Sequence, residues 1–219
     1  MTGEAHPGRA PAAGTTTAQD PDLARLDVPA LVARARAAAG PDGRLAPGDV
    51  VGWDTFPFER EGLRLRELVD PTTPEPPRSD EDAATCRRCA RPDDDFTWTD
   101  DTWRIHAPSP VTLPTLLLEP RAHGDLGDLD DAAAGALGRM MVRVERALAA
   151  VPGVGRVHVH RWGDGNGHLH VFFLARPEGM LQLRGLVMPL WAQHLPPVPD
   201  AEWDPIVTSV VARLDADRA

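Results

Sequence analysis

The fold of this chain is best read from one apolar stretch, Gly167-His168-Leu169-His170-Val171-Phe172-Phe173-Leu174. Alternation along a strand places His168 and His170 on one face and Leu169 and Val171 on the other. Buried imidazoles need partners, and two on one face of an apolar strand indicate a metal, a substrate or both. The stretch therefore predicts a core strand that also carries the functional site.

Three further residues of metal-ligating type lie upstream of this strand. Cys86 and Cys89 form a C-x-x-C pair, and His123 closes the run from Leu116. With His168 they make a two-cysteine, two-histidine set, whose soft ligands suit tetrahedral zinc. A redox C-x-x-C is less well supported, because its flanks are Arg-Arg and a proline-rich connector rather than the start of a βαβ helix. The histidines that compete as ligands are His106, His158, His160 and His194.

Composition limits what the chain can bind and where it works. Its 219 residues suffice for one good core. The net charge of −10 argues against nucleic acid and against an anionic membrane as partners. No export signal or apolar run of membrane-spanning length is seen, and the C-x-x-C pair is typical of a reducing compartment. We therefore expect a cytoplasmic protein that binds neither nucleic acid nor membrane.

The order of elements predicts an α+β domain with an antiparallel sheet. Apolar residues at i, i+4 and i+8 spacing predict a long packed helix over 129–151, with Asp128 as its N-cap and Pro152-Gly153 after its end. Shorter helices are expected over 28–39 and about 204–214. Strands are expected at 96–98, 103–105, 115–119, 156–162 and 168–175.

Composition also divides the chain into four parts. Residues 1–25 are rich in Ala, Gly, Pro and Thr and predict a disordered tail. An N-terminal extension follows over 26–85; it includes an aromatic segment at 50–58, spaced leucines at 63–68 and a proline-rich connector at 71–78. The domain that carries the site spans 86–195, and 196–219 form a C-terminal helix.

The glycine-rich loop before the histidine strand has two interpretations. Its sequence is Gly163-Asp164-Gly165-Asn166-Gly167. Backbone N–H groups of such a loop can cradle phosphate, which makes Asn166 and Gly167 candidate substrate-binding residues. The same sequence also suits a hairpin turn that needs positive φ. Arg161 and Arg121 are further candidates for a phosphate contact, although most arginines beside a sheet are solvated.

These motifs, in this order, resemble the histidine-triad superfamily of nucleotidyl hydrolases and transferases, in particular its zinc-bearing branch of galactose-1-phosphate uridylyltransferases and dinucleoside-polyphosphate phosphorylases. Leu118-Glu119-Pro120-Arg121-Ala122-His123 is like the strand that ends in Pro-Lys/Arg-x-His. The acidic segment 125–129 is like the start of that family's long helix. His168-Leu169-His170-Val171-Phe172 is like its His-x-His-x-His/Gln signature, and Cys86 and Cys89 stand where zinc-bearing members carry a C-x-x-C.

The resemblance implies different roles for these residues. Zinc would be held by Cys86, Cys89, His123 and His168. His170 would attack an α-phosphorus and form a nucleotidyl-imidazole intermediate. The implied substrate is a nucleotide or nucleotide sugar, and a homodimer is left open.

Phe172 departs from the resembled pattern. It stands at the third signature position, on the face of His168 and His170, where it would line the substrate but cannot donate a hydrogen bond. A second register would place Asn166, His168 and His170 at the signature positions, at the cost of the zinc-side histidine.

Two rival functions therefore stay open beside the enzyme. One is a nucleotide-binding protein or pseudoenzyme on the same fold, with purely structural zinc. The other is a metal-dependent enzyme in which His158, His160 and His170 hold an open-site metal.

Overall fold

A computed structural model describes residues 25, 27–45, 76–185 and 188–217 of the chain. Most of the predicted disordered tail, the aromatic segment at 50–58, the leucines at 63–68 and most of the proline-rich connector lie outside the described residues.

Five strands form one antiparallel sheet. They are β1 (Trp98–Thr99), β2 (Trp103–His106), β3 (Thr115–Pro120), β4 (Val154–His160) and β5 (Val171–Pro177). Their order across the sheet is β1-β2-β3-β5-β4, and each neighbouring pair is antiparallel. The predicted α+β class with an antiparallel sheet is confirmed.

The described helices are α1 (Val28–Ala37), α2 (Arg87–Ala90), α3 (Asp131–Ala149), α4 (Met188–Ala192) and α5 (Asp200–Ala216). The long packed helix is α3, but its N-cap is Asp130, whose side chain accepts from the Ala133 amide at 2.7 Å. The predicted cap, Asp128, instead closes a short 3₁₀ turn with Asp125. None of the described helices combines the length and apolarity needed to cross a membrane.

One face of the sheet is covered by α3 and α5. Alternate residues of β3 and β5 point to this face, and all are at most 3% exposed: Leu116, Leu118, Val171 and Phe173. They pack with the apolar stripe of α3, which consists of Leu137, Met140, Val144, Ala147 and Leu148. The buried side of α5 joins the same cluster through Trp203, Ile206, Val210 and Leu214.

The histidine stretch differs from the prediction in where its strand begins. His168 and His170 precede β5, which starts at Val171. The reason is that the His168 amide donates to the Asn166 side chain and the Leu169 amide to the Gly124 carbonyl, both at 2.8 Å, instead of to a neighbouring strand. Alternation nevertheless holds, because Leu169 lies in the core cluster while the imidazoles face the other way.

Candidate metal centre and active site

Cys86, Cys89, His123 and His168 converge on one point beside the sheet. One ligand atom from each lies within 4.8 Å of the other three. Nδ1 of His168 is 3.5 Å from both sulfurs, and Nδ1 of His123 is 3.6 Å from the Cys89 sulfur. Zinc–ligand bonds of about 2.0–2.3 Å in a tetrahedron give a sulfur–nitrogen edge of about 3.5 Å. The donor set and its spacing therefore fit zinc.

The short helix α2 brings the two thiols together. Cys86 is its N-cap, and the Cys86 sulfur accepts from the Cys89 amide at 3.4 Å. Because the C-x-x-C pair spans one helical turn, both sulfurs lie on the side of α2 that faces the histidines.

Both cluster histidines present the same ring nitrogen. Nε2 of His168 donates to the Pro120 carbonyl at 2.9 Å, and Nε2 of His123 donates to the Glu81 carbonyl at 3.2 Å. A carbonyl only accepts, so the hydrogen of each neutral ring is on Nε2 and the lone pair is on Nδ1, toward the thiols. Such carbonyl partners are what orient metal-binding histidines in proteins.

Burial sets the protonation of this cluster. It raises the pKa of the Cys89 thiol to about 11, with a further contribution from Cys86. It also lowers the pKa of His168. At neutral pH the metal-free cluster holds a neutral imidazole and a protonated Cys89 thiol, so metal binding there releases protons.

His170 is buried two residues along but takes no part in the cluster. Its Nδ1 donates to the His168 carbonyl at 2.8 Å, which leaves the lone pair of the neutral ring on Nε2. Burial is the main cause of its lowered pKa, and the hydrogen bond to the His168 carbonyl opposes that effect. A neutral imidazole with a fixed tautomer is the form that can attack phosphorus.

Phe172 lies beside His170 at the edge of an open cavity. Their ring centroids are 5.3 Å apart in a T-shaped arrangement. The cavity has a volume of about 490 Å³, and Phe172 and Asn166 line it. Its basic lining residues are Arg87, Arg88, Arg91 and His106. His106 thus belongs to the cavity and not to the metal-ligating set.

The glycine-rich loop is held by the segment that precedes the C-x-x-C pair. Asn166 donates to the Asp80 carboxylate at 2.5 Å, and the Gly167 amide donates to the Ser79 carbonyl at 2.8 Å. A Cβ on Gly167 would come within 2.7 Å of the Glu81 Cα, so close approach of two chain segments requires glycine there.

The predicted hairpin is present, since β4 and β5 are consecutive antiparallel strands, but no tight turn with positive φ joins them. β4 and β5 are joined by ten residues, 161–170, and Gly163, Gly165 and Gly167 are not among the positive-φ glycines. The amide of Gly167 is also engaged by Ser79, so in this structure it is not turned toward a ligand.

The two arginines considered for a phosphate contact are engaged by carboxylates. Arg161 pairs with Asp125, and Arg121 binds both oxygens of Asp93 at 2.7 Å. Asp125 also pairs with Arg78 at 2.6 Å. The pairs through Asp125 tie Arg161 to the connector residue Arg78, and the carboxylate partners account for both arginines without a ligand.

The two histidines of β4 form no second metal cluster. His158 and His160 stack 6.2 Å apart, and His160 stacks on Trp162 at 4.7 Å. In the part of the chain that the structure describes, the group that brings three or more such ligands together is the cysteine–histidine set. That set contains His168, which is the zinc-side histidine in the first of the two registers considered for the signature.

Sequence reasoning missed a buried ion pair beside the site. Arg88, between the two cysteines, donates to Glu119, whose side chain is 0% exposed. The sequence carries one sign of this pair, which is the charged residue Glu119 at the end of an apolar strand, because a buried carboxylate needs a partner.

Compared by sequence, the chain matches no protein-family model and no curated protein. By structure it is similar to a histidine-triad protein from Bradyrhizobium japonicum (20% identity, 54% of this chain and 89% of that one, TM-score 0.47). It is also similar to a zinc-bound histidine-triad family protein from Mycobacterium smegmatis (15% identity, 56% and 86%, TM-score 0.42). A uridylyltransferase structure is 17% identical with a TM-score of 0.43; the match covers 61% of this chain and 46% of that enzyme.

Proposed function

We propose that this protein is a nucleotidyl transferase or nucleotide hydrolase that works through a covalent intermediate on His170. The observation that carries this proposal is the tautomer of His170. Its Nδ1–H is bound to the His168 carbonyl, so the lone pair is fixed on Nε2 in a buried, neutral ring. The substrate class, a nucleoside phosphate or nucleotide sugar, follows from the motif resemblance.

The chemistry proceeds in two balanced steps. Nε2 of His170 forms a bond to the α-phosphorus while the bond from that phosphorus to the bridging oxygen breaks, and the leaving group takes the electron pair. Water or another acceptor hydroxyl then attacks the same phosphorus. The phosphorus–nitrogen bond breaks, the imidazole recovers its electron pair, and the acceptor proton passes to solvent.

The metal would be zinc held by Cys86, Cys89, His123 and His168. When bound, it would supply structure rather than reactivity, because all four positions of a tetrahedral site are filled by protein ligands. His168 would then connect the two parts of the site: its ring holds the cluster and its carbonyl orients His170.

A second candidate function is nucleotide binding without turnover. The observation that favours it is Phe172, which faces His170 with a ring that can neither donate a proton nor form a hydrogen bond to a leaving oxygen. The same cavity would then hold a nucleotide without cleaving it.

The test is a search for the covalent intermediate. Wild-type protein is incubated with ADP, GDP, CDP, UDP and their glucose esters, and intact mass is recorded with and without acid treatment. We expect an acid-labile adduct of one nucleotidyl group on wild type and none on His170→Ala, which should keep its zinc.

His158→Ala is the matched control, because that histidine lies on the neighbouring strand β4 and is not part of the cysteine–histidine cluster. It should form the adduct as wild type does. Nucleotide binding without an adduct or product from any compound would exclude the covalent mechanism and leave the binding protein.

A further inference from the structure

Arg88 is placed differently from the other arginines of the cavity. Its side chain is 20% exposed, and its buried partner is Glu119. Arg87 is 77% exposed and pairs with Asp80, while Arg91 pairs with Asp95 and lies over the Phe96 ring. Arg88 is therefore the cavity arginine that is anchored from inside the sheet.

Glu119, the residue that binds Arg88, lies at the end of β3 near His170. β3 and β5 pair in register up to Leu118 and Val171, and the next residues along the two segments are Glu119 and His170. Glu119 and the arginine paired with it therefore lie near the residue proposed as the nucleophile.

Arg88 has further N–H donors besides the one that binds Glu119. A guanidinium has five N–H groups, and the described contacts assign one of its nitrogens to Glu119. Glu119 in turn has its other oxygen, Oε1, without a hydrogen-bond partner among the described residues. Arg88 is thus the described hydrogen-bond partner of this buried carboxylate, and the same arginine lines the cavity that Phe172 lines.

We propose that Arg88, positioned by Glu119, binds the phosphate that leaves from the α-phosphorus, in place of the donor that Phe172 lacks. This inference rests on the proposed function and names its substrate class. Arg88 acts as a catalytic residue by touching the leaving phosphate, and Glu119 is a positioning residue.

The chemistry of arginine then restricts the leaving group. A guanidinium stays protonated, so it offsets negative charge but delivers no proton. As the nitrogen–phosphorus bond to His170 forms, the bridging oxygen takes the electron pair and departs as a phosphate anion, which needs no proton. An amine leaving group does need one, and neither Arg88 nor Phe172 supplies it. The site therefore selects nucleoside diphosphates and their esters over phosphoramidates.

Binding measurements test this assignment independently of turnover. The affinities of four nucleoside diphosphates and their monophosphates are measured by calorimetry. We expect the preferred diphosphate to bind on the order of tenfold more tightly than its monophosphate, because one charge-assisted hydrogen bond contributes about that factor to the affinity. Arg88→Gln should bring that ratio close to one. The control is Arg139→Gln, an exposed arginine of α3 that does not line the cavity, and it should keep the ratio.

A double variant distinguishes loss of phosphate binding from loss of folding. Arg88→Gln alone leaves Glu119 buried and unpaired, whereas Arg88→Gln with Glu119→Gln removes both charges and should fold with its zinc retained. It should show the same collapse of the affinity ratio. A ratio that survives in either variant would overturn the assignment of Arg88.

Kinetics separate this inference from the proposed function. Arg88→Gln should slow cleavage of the preferred diphosphate on the order of 10²-fold, and wild type should cleave the 5′-phosphoramidate of the same nucleoside far more slowly than that diphosphate. Phe172→His should raise the phosphoramidate rate by adding an acid. Equal rates on the two compounds would contradict the inference while leaving the covalent mechanism standing. No adduct, with the affinity ratio still dependent on Arg88, would overturn the mechanism alone.

Discussion

His168 and His170 are adjacent in the site but use different ring nitrogens. His168 donates from Nε2 and presents Nδ1 to the thiols. His170 donates from Nδ1, which leaves the lone pair of its neutral ring on Nε2. The two backbone carbonyls that accept these hydrogen bonds, those of Pro120 and His168, therefore decide which ring nitrogen carries the lone pair in each imidazole.

Cys86→Ser should remove the metal and lower the melting temperature. Cys86 is 2% exposed, and a hydroxyl is a poor replacement for a thiolate in a closed zinc site. Zinc content by mass spectrometry and thermal unfolding check both effects. Thr85→Ala, an exposed neighbour, is the control and should change neither.

Phe172→Gln should raise the rate of cleavage by up to about 10²-fold, because a donor at this position would bind the leaving oxygen in addition to Arg88. Steady-state kinetics on the diphosphate substrate measure the change. Phe172→Leu is matched to it in size but also lacks a donor, so it should show no gain. Equal rates in the two variants would mean that the donor is not limiting.

Connections between elements decide the shape of the site. The segment 79–81 runs along the glycine-rich loop, with a bridge between Ser79 and Asn166, and continues into α2. Asp80 adopts φ 55° there, a conformation that Asp and Asn tolerate better than most residues. Its carboxylate binds the Arg87 backbone amide and the Asn166 side chain, so one residue joins the thiol helix to the loop.

Asp80→Asn should destabilise the protein by about 1.5–3 kcal/mol at neutral pH, the usual worth of hydrogen bonds to a charged group. Hydrogen bonds from the Arg87 side chain and amide lower the pKa of Asp80 to about 2. The folded pKa is below the unfolded value of about 3.9. The contribution is therefore complete above pH 4 and is lost as the pH falls toward 2. Urea unfolding at several pH values should show the gap between wild type and variant closing over that window; a constant gap would contradict the role of the charge.

Leu148→Ala on α3 should destabilise the protein by about 2–5 kcal/mol, because this side chain is 0% exposed and its truncation leaves a cavity. Val142→Ala on the same helix is the control. Val142 is 45% exposed, so its loss should change the free energy of unfolding by no more than about 0.5 kcal/mol. Chemical denaturation compares the two, and similar losses would mean that the buried face of α3 is wrongly assigned.

Periodicity explains why some elements were predictable from sequence and others were not. The apolar spacing of α3 and the alternation of Leu169, Val171 and Phe173 repeat along the chain, so both are visible in the sequence. The start of β5 is not, because it depends on amides that bind Asn166 and Gly124 instead of a strand. The ion pair of Arg88 and Glu119 joins residues 31 positions apart and has no periodic signature either.

At the scale of the whole molecule, the cysteine–histidine cluster joins parts of the chain that secondary structure leaves separate. Cys86 and Cys89 come from α2, His123 follows β3, and His168 precedes β5. The sequence predicted this set of four, because ligand type and order along the chain are visible in it. It did not predict which carbonyls orient the histidines, since that depends on the folded backbone.

Metal removal should therefore loosen the site more than the core. The cluster of α3, α5 and the sheet is apolar and holds no cluster ligand, whereas the loop and α2 meet at the thiols. We expect a chelator to lower the melting temperature and to raise amide exchange first in 79–89 and 161–170. Hydrogen exchange with mass spectrometry checks the order; uniform exchange over the whole chain would contradict it.

The most direct test of the central claim is the metal content and ligand set of the purified protein. Native mass spectrometry and X-ray absorption at the zinc edge should give close to one zinc per chain, bound by two sulfur and two nitrogen ligands. His170→Ala should leave that signal unchanged, and His168→Ala should remove it. A folded wild-type protein that stays metal-free in zinc-containing buffer, with a melting temperature indifferent to chelator, would contradict the claim.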